Sequence, residues 1–175
     1  MMMQCLRAGG MEIAYDPACD WQADIQADDG YHPNADGLFE FSIQTMMQPG
    51  FPGPEFDGKA IKIFPPPWGP LTHIPVHDYS VVWIHRDPQA RRESFKRFCE
   101  RHSTALADVP ELALLRDMAA DTAFRWMATR ADVKLYVVDY EAILADPKRE
   151  LKTLSDWPID IRKAAKVPDR SRRRF

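Results

Sequence analysis

The chain has 175 residues, enough for one compact domain that buries roughly 70% of its extended surface, and 45% hydrophobic with 28% charged residues is an ordinary globular composition. With 26 acidic and 23 basic residues the net charge is −3, so no global field draws the protein toward nucleic acid or an anionic membrane surface. No apolar run approaches the ~18 residues of a membrane span, and no basic segment followed by an apolar core marks a signal peptide. The 3 cysteines, Cys5, Cys19 and Cys99, form no CxxC pair and are expected to be free thiols of a reducing, cytoplasmic compartment.

The opening segment Met1–Leu6, MMMQCL, has helical character, and Gly9-Gly10 supplies its C-terminal stop. No capping residue starts this helix. The chain is therefore expected to begin inside an element, with a strand and a loop missing before Met1, and three consecutive methionines make a misplaced start easy. The alternative is a short helix with a ragged start. Glu12–Tyr15 is a short strand candidate. Residues 16–58 are rich in Asp, Gly and Pro and are expected to form loops, with one helix near Phe39–Met47. Lys59–Phe64, KAIKIF, alternates as a strand does and is ended by Pro65-Pro66-Pro67. Trp68–His73 is a candidate helical turn.

Val81–Ile84, VVWI, is an apolar run bounded by polar residues, the pattern of a strand buried on both faces in a parallel sheet. Arg86 follows at its carboxyl end. Asp87 then caps a helix that opens on Pro88 and runs to about His102, with Ser94 nearly two turns into it. Ligands of open α/β sheets bind outside the carboxyl ends of the strands. A fixed cation there, with a hydroxyl at a defined offset on the next helix, suits a phosphate. A further helix spans Pro110 to about Arg130 with an apolar stripe of Leu112, Leu115, Ala119, Phe124 and Met127. Val133–Val138, VKLYVV, is a strand. Asp139 caps the short helix YEAILAD, and Pro147 opens a last one, PKRELKTLSDW. This order implies an α/β protein, a three-layer arrangement in which a right-handed parallel sheet is flanked by helices, as a single domain over residues 1–175.

Five segments together resemble the sulfotransferase family, in particular the bacterial sulfotransferase-like P-loop proteins. They are RDPQARRES, with an Arg at a strand end and a Ser eight residues later; VVDYEAILADPKRELKTL, residues 137–154; NADGLFE, residues 34–40; GKAIKI, residues 58–63; and the opening MMMQCLRAGG. The resemblance spans nearly the whole chain. It implies a P-loop NTPase-like sulfotransferase fold, N-terminally truncated, because the Gly-rich phosphate loop would lie just upstream of Met1. It implies transfer of a sulfonate group from 3′-phosphoadenosine 5′-phosphosulfate, with no metal, to a hydroxyl acceptor on a small molecule or carbohydrate. In the family the Arg and Ser hold the 3′-phosphate of that co-substrate, which would make Arg86 and Ser94 the binders here. The third and fourth segments make Glu40 a candidate general base and Lys62 the candidate for electrostatic stabilisation of the transferring group. The His that many family members carry two residues after that lysine is replaced, since Ile63-Phe64 follow Lys62. A missing phosphate loop would weaken the grip on the co-substrate's 5′ side.

Each of these residues also has a plainer role open to it. Arg86 could pair with Asp87 or Asp139, and Ser94 could be a small residue at a helix–sheet contact. Lys62 could be a solvated strand-end lysine and Glu40 a surface carboxylate. His85 would point to the face of the strand opposite Arg86 and is expected to be structural. His73 and His77 form HxxxH, but Pro75 between them argues against the helix that a metal site would need. The tail Arg170–Phe175 is either a solvated terminus or a basic clamp for an anion. Two other functions compete. One is a nucleotide kinase of related P-loop architecture, recognised by a requirement for Mg-ATP. The other is a non-catalytic remnant that kept the fold as a binding or scaffold protein.

Overall fold

The computed structural model describes residues 1–17, 39–63, 74–101 and 110–168. Several expectations lie outside these residues: Cys19, the first five residues of NADGLFE, Phe64, the turn Trp68–His73 with His73, the helix end at His102 and the basic tail. The side chains of Cys99 and Leu112 lie outside them too. The described residues fall into two compact units. One is formed by 1–17, 39–63, 74–75 and 154–168, the other by 76–101 and 110–153.

The first unit opens with helix α1, Met2–Ala8, which buries Met2, Cys5 and Leu6. That i, i+3, i+4 spacing is one stripe of a helix. The helix ends as its glycines require: Met11 N–H donates to the Leu6 carbonyl and Gly10 N–H to that of Arg7, both at 3.0 Å, with Gly10 at φ 100°. These are the two bonds of a Schellman stop, whose left-handed position favours glycine. A Cβ on Gly9 would lie 2.9 Å from Ile159 Cβ, so the close approach between the end of α1 and the 159–160 turn depends on that glycine. Asp160 N–H donates to the Gly9 carbonyl at 2.8 Å, and its carboxylate caps helix α7, Ile161–Ala164, through the N–H groups of Arg162 and Lys163.

The two strands expected at Glu12–Tyr15 and Lys59–Phe64 reduce, among the described residues, to a single parallel bridge between Ile13 and Ala60. Ala14 N–H donates to the Ala60 carbonyl at 3.0 Å and Ala60 N–H to that of Glu12 at 2.9 Å. Pro17 closes the first run soon after, and Gly58, at φ 75°, delivers the second run straight out of a turn. One register of pairing is what remains. The helix expected near Phe39–Met47 is the single turn α2, Ile43–Met46, started by Ser42 Oγ, which accepts from Thr45 N–H at 3.0 Å. Phe39 is at φ 55°, which a helix cannot use. The segment is organised by aromatic packing: Phe41, Phe51 and Phe56 meet edge-on with centroids 5.2–5.5 Å apart, and Tyr15 meets Phe39 at 5.3 Å.

Cys5 is a free thiol with no solvent exposure, and burial pushes its pKa from 9.0 up to about 11. The unfolded chain gives up this proton first, so the thiol's contribution to stability is complete below pH 9 and is lost between pH 9 and about 11. The Tm of the wild-type chain is expected to fall a few degrees more than that of Cys5→Ala between pH 8 and 10.5. Equal slopes in a paired pH series would refute it.

The second unit is built on strands β1, Tyr79–His85, and β2, Val133–Asp139, paired in parallel from Tyr79↔Val133 to His85↔Asp139. Helices α3, Pro88–Arg101, and α4, Pro110–Ala128, lie between them in sequence. The chain is thus α/β, with a small parallel sheet of two strands among the described residues. Val81–Ile84 is not buried on both faces as expected: Val81, Val82 and Trp83 are half-buried and Ile84 is 40% exposed. Trp83 packs on Phe124 of α4 with centroids 5.3 Å apart. Of the apolar stripe expected on α4, Met127 is buried, Ala119 and Phe124 are half-buried and Leu115 is exposed.

The core of this unit gathers on β2 and the short helix that follows it, α5, Tyr140–Ala145: Tyr136, Val138, Ile143, Leu144 and Leu151 are buried. Asp139 caps α5 as expected, its Oδ1 accepting from Ala142 N–H at 2.7 Å. Asp146 caps α6, Pro147–Glu150, with proline in the first position. The expected long helix PKRELKTLSDW stops there and tightens into a 3₁₀ turn, Leu151–Leu154, whose end leucines are both fully buried. Three-residue spacing suits the 3₁₀ repeat, where i and i+3 eclipse. At the amino ends of the strands, Arg130 donates to Asp132 and lies over the rings of Trp126 and Tyr79, 4.6 and 5.6 Å from their centroids. Asp132 Oδ2 also accepts from His77 N–H at 3.1 Å. The Arg130 hydrogen bond holds the Asp132 carboxyl well below the usual carboxylate range, and the cluster ties the start of β1 to the start of β2.

Candidate functional site

Because His85 and Asp139 are register partners, the strands end level, and Arg86 and Tyr140 follow side by side at their carboxyl ends. The Arg86 side chain is only 16% exposed. Its guanidinium lies over the Tyr140 ring, 4.5 Å from the centroid, and its Nε stands 3.7 Å from Glu141 Oε1. That is an ion pair but too long for a hydrogen bond. The Nε–H is buried and has no hydrogen-bond partner among the described residues. A buried donor left unmade is costly, and an added acceptor would relieve it.

Asp87 and Asp139 were the ion-pair partners expected for a purely structural Arg86, and both are employed elsewhere. Asp87 Oδ1 caps α3 by accepting from Ala90 N–H at 2.9 Å, and Asp139 Oδ1 caps α5. The partner is Glu141 instead. Nothing in the local sequence marks it: it reaches Arg86 only because the parallel register places the start of α5 beside the end of β1.

Ser94 lies half-buried on α3, six residues after Pro88 and so about 9 Å along the helix axis. The helix is anchored by Asp117 of α4, which takes Arg91 Nη2 at 2.9 Å and Arg92 Nε at 2.8 Å. These two salt bridges fix the helix that carries Ser94 against α4.

Lys62 and Glu40 belong to the first unit, and the fold brings them together. Lys62 Nζ donates to Glu40 Oε1 at 2.7 Å, with the two side chains 28% and 25% exposed. Neither the solvated lysine nor the isolated surface carboxylate describes them. Glu40 is fixed by its carbonyl, which accepts from Asp16 N–H at 3.0 Å, and Lys62 is held two residues beyond the bridge at Ala60. A contact of 2.7 Å is a charge-assisted hydrogen bond, so any hydroxyl that approaches this carboxylate must share it with the ammonium. Two candidates chosen for separate roles are in fact one acid–base pair, which local sequence does not reveal because 22 residues separate them.

The remaining polar candidates are peripheral. His77 is exposed, meets Tyr79 edge-on at 5.6 Å, and uses its backbone N–H on Asp132. His85 is exposed at the end of β1. Among the described residues no three His, Cys, Asp or Glu side chains gather as a metal-ligand set, and no helix is long and apolar enough to cross a membrane. No protein-family model, no curated protein and no solved structure matches the chain.

Proposed function

We propose that the carboxyl end of β1 is an anion half-site for the 3′-phosphate of an adenosine nucleotide, and that the chain has a P-loop sulfotransferase-type fold serving sulfonate transfer from 3′-phosphoadenosine 5′-phosphosulfate to a hydroxyl acceptor. The observation that carries this reading is the buried Arg86 Nε–H, without a hydrogen-bond partner among the described residues, at the carboxyl end of a parallel strand. A phosphate oxygen would satisfy it, and Ser94 on the following helix is the hydroxyl offered as second donor.

In the reaction proposed, the acceptor oxygen attacks sulfur while the bond from sulfur to the bridging oxygen breaks. Adenosine 3′,5′-bisphosphate leaves. The acceptor's proton passes to a base, for which Glu40 is the candidate, and the Lys62 ammonium offsets charge that grows on the transferring group. The acceptor is a hydroxyl of a small molecule or carbohydrate. One observation favours a second reading, a non-catalytic nucleotide-binding protein: the Lys62 ammonium is already met by Glu40 at 2.7 Å. Assay of sulfonate transfer to a hydroxyl panel separates the two.

The first test is a thermal melt with adenosine 3′,5′-bisphosphate, with AMP as control. Ligand at 100 times its Kd adds ~2.7 kcal/mol, a shift of several degrees at ~2–4 °C per kcal/mol. A shift with the bisphosphate alone is expected. No shift with either nucleotide would overturn the half-site, an equal shift with both would show that the 3′-phosphate is not read, and a shift requiring Mg-ATP would point to a kinase.

A further inference from the structure

The Arg86 guanidinium carbon lies over the Tyr140 ring, 4.5 Å from its centroid, and Glu141 Oε1 stands 3.7 Å from Nε. A guanidinium binds oxyanions along its N–H edges. The cation is 16% exposed and the carboxylate 35%, so the free protein keeps an almost buried charge compensated by a partner that is itself half in water. Leaving that cation with no counter-charge would be strongly destabilising. Yet the contact is too long to satisfy the donor, and Nε–H keeps no hydrogen bond among the described residues. The pair is close enough to neutralise and too loose to saturate.

We infer that Glu141 is an internal counter-anion that a ligand phosphate must displace from Arg86, and that it thereby sets the affinity of the half-site; this rests on the anion-site reading of Arg86 proposed above. Tyr140, whose ring lies against the guanidinium at 4.5 Å, is a positioning residue that limits its movement. Both follow from local structure. Asp139 starts α5 at Tyr140, and the register of β1 and β2 sets that start beside Arg86. A carboxylate and a phosphate cannot share one N–H edge without repulsion, so binding carries the cost of moving Glu141 aside.

The experiment is a titration of adenosine 3′,5′-bisphosphate and AMP into the wild-type chain, Glu141→Gln, Arg86→Ala and the double variant. Glu141→Gln is expected to bind the bisphosphate about 1.5- to 5-fold more tightly, the range of a partly exposed ion pair. AMP affinity should not change, and the gain should vanish when Arg86 is also replaced. Glu141→Asp, with its carboxylate drawn back by one methylene, should fall between, which keeps the answer independent of how one variant folds. If the wild type binds the bisphosphate and Glu141→Gln binds it no better, the inference fails and the half-site stands. An equal gain for AMP, or a gain that persists without Arg86, also overturns it. If neither the wild type nor Glu141→Gln binds the bisphosphate, the half-site itself is wrong and the inference falls with it. Binding by Glu141→Gln alone would support both, with Glu141 as the group that closes the site.

Discussion

Arg86→Ala is expected to weaken binding of adenosine 3′,5′-bisphosphate by ~1.5–3 kcal/mol, roughly 10- to 150-fold, the usual value of a charge-assisted hydrogen bond. Affinity for AMP, which lacks the 3′-phosphate, should barely change. The size of the effect follows from burial. Arg86 is 16% exposed, and its Nε–H is shielded from water with no hydrogen bond among the described residues, so a phosphate there meets a cation that solvent hardly screens. Arg86→Lys should recover only part of the loss, because a lysine brings a point charge but not the planar fork that rests on Tyr140. Titration calorimetry on variants shown to melt cooperatively makes the comparison. An equal loss for both nucleotides would mean that Arg86 acts by holding the fold together, through Glu141 and Tyr140, rather than by contact with ligand.

What the sequence made legible is what short-range rules decide. The Gly9-Gly10 stop, the Asp139 and Asp146 caps, Pro at the openings of α3, α4 and α6, and the two strands β1 and β2 all stand where local signals put them, within two residues. Those signals concern hydrogen bonds made within one turn or steric limits of one residue, so no distant contact is needed to evaluate them. The strand failures are long-range. Glu12–Tyr15 and Lys59–Phe64 each read as strands alone, but a strand exists only where its partner continues, and the pairing stops at Ile13 and Ala60. The apolar run Val81–Ile84 signals a strand correctly. It does not reveal what covers the strand's two faces, and Ile84 is 40% exposed.

The site divides along the same line. Arg86 was legible because a cation at a strand's carboxyl end, followed by a capped helix, is a local pattern. Glu141 was not, because its role is fixed by a register that joins residues 55 apart in the chain. The Lys62–Glu40 pair was half legible: both residues stood out, but their contact depends on how the 39–63 segment folds back on itself. An aromatic cluster governs that segment, with Phe39 at φ 55°, and it has no periodicity to read.

Ile143→Ala is expected to cost ~3–4 kcal/mol, the range for a large aliphatic truncated at a site with little room to collapse. At ~2–4 °C per kcal/mol this lowers the Tm by about 10 °C. Ile143 has no exposed surface, and neither have Val138 and Leu151 of the same unit. Ile143→Val, which removes one methylene, should cost only ~0.5–1.5 kcal/mol. The residue also bears on the site. It follows Tyr140 by three positions, so the two are neighbours along one side of α5, the helix that supplies both partners of Arg86. A helix loosened on its core side holds the Tyr140 ring and the Glu141 carboxylate less firmly against the guanidinium. Bisphosphate affinity, measured well below the lowered Tm, should therefore fall in Ile143→Ala, though by less than in Arg86→Ala. A large stability loss with unchanged affinity would show that Arg86 keeps its orientation without help from α5. No measurable stability loss would mean that the contacts of α5 with β2 do not form the core of this unit.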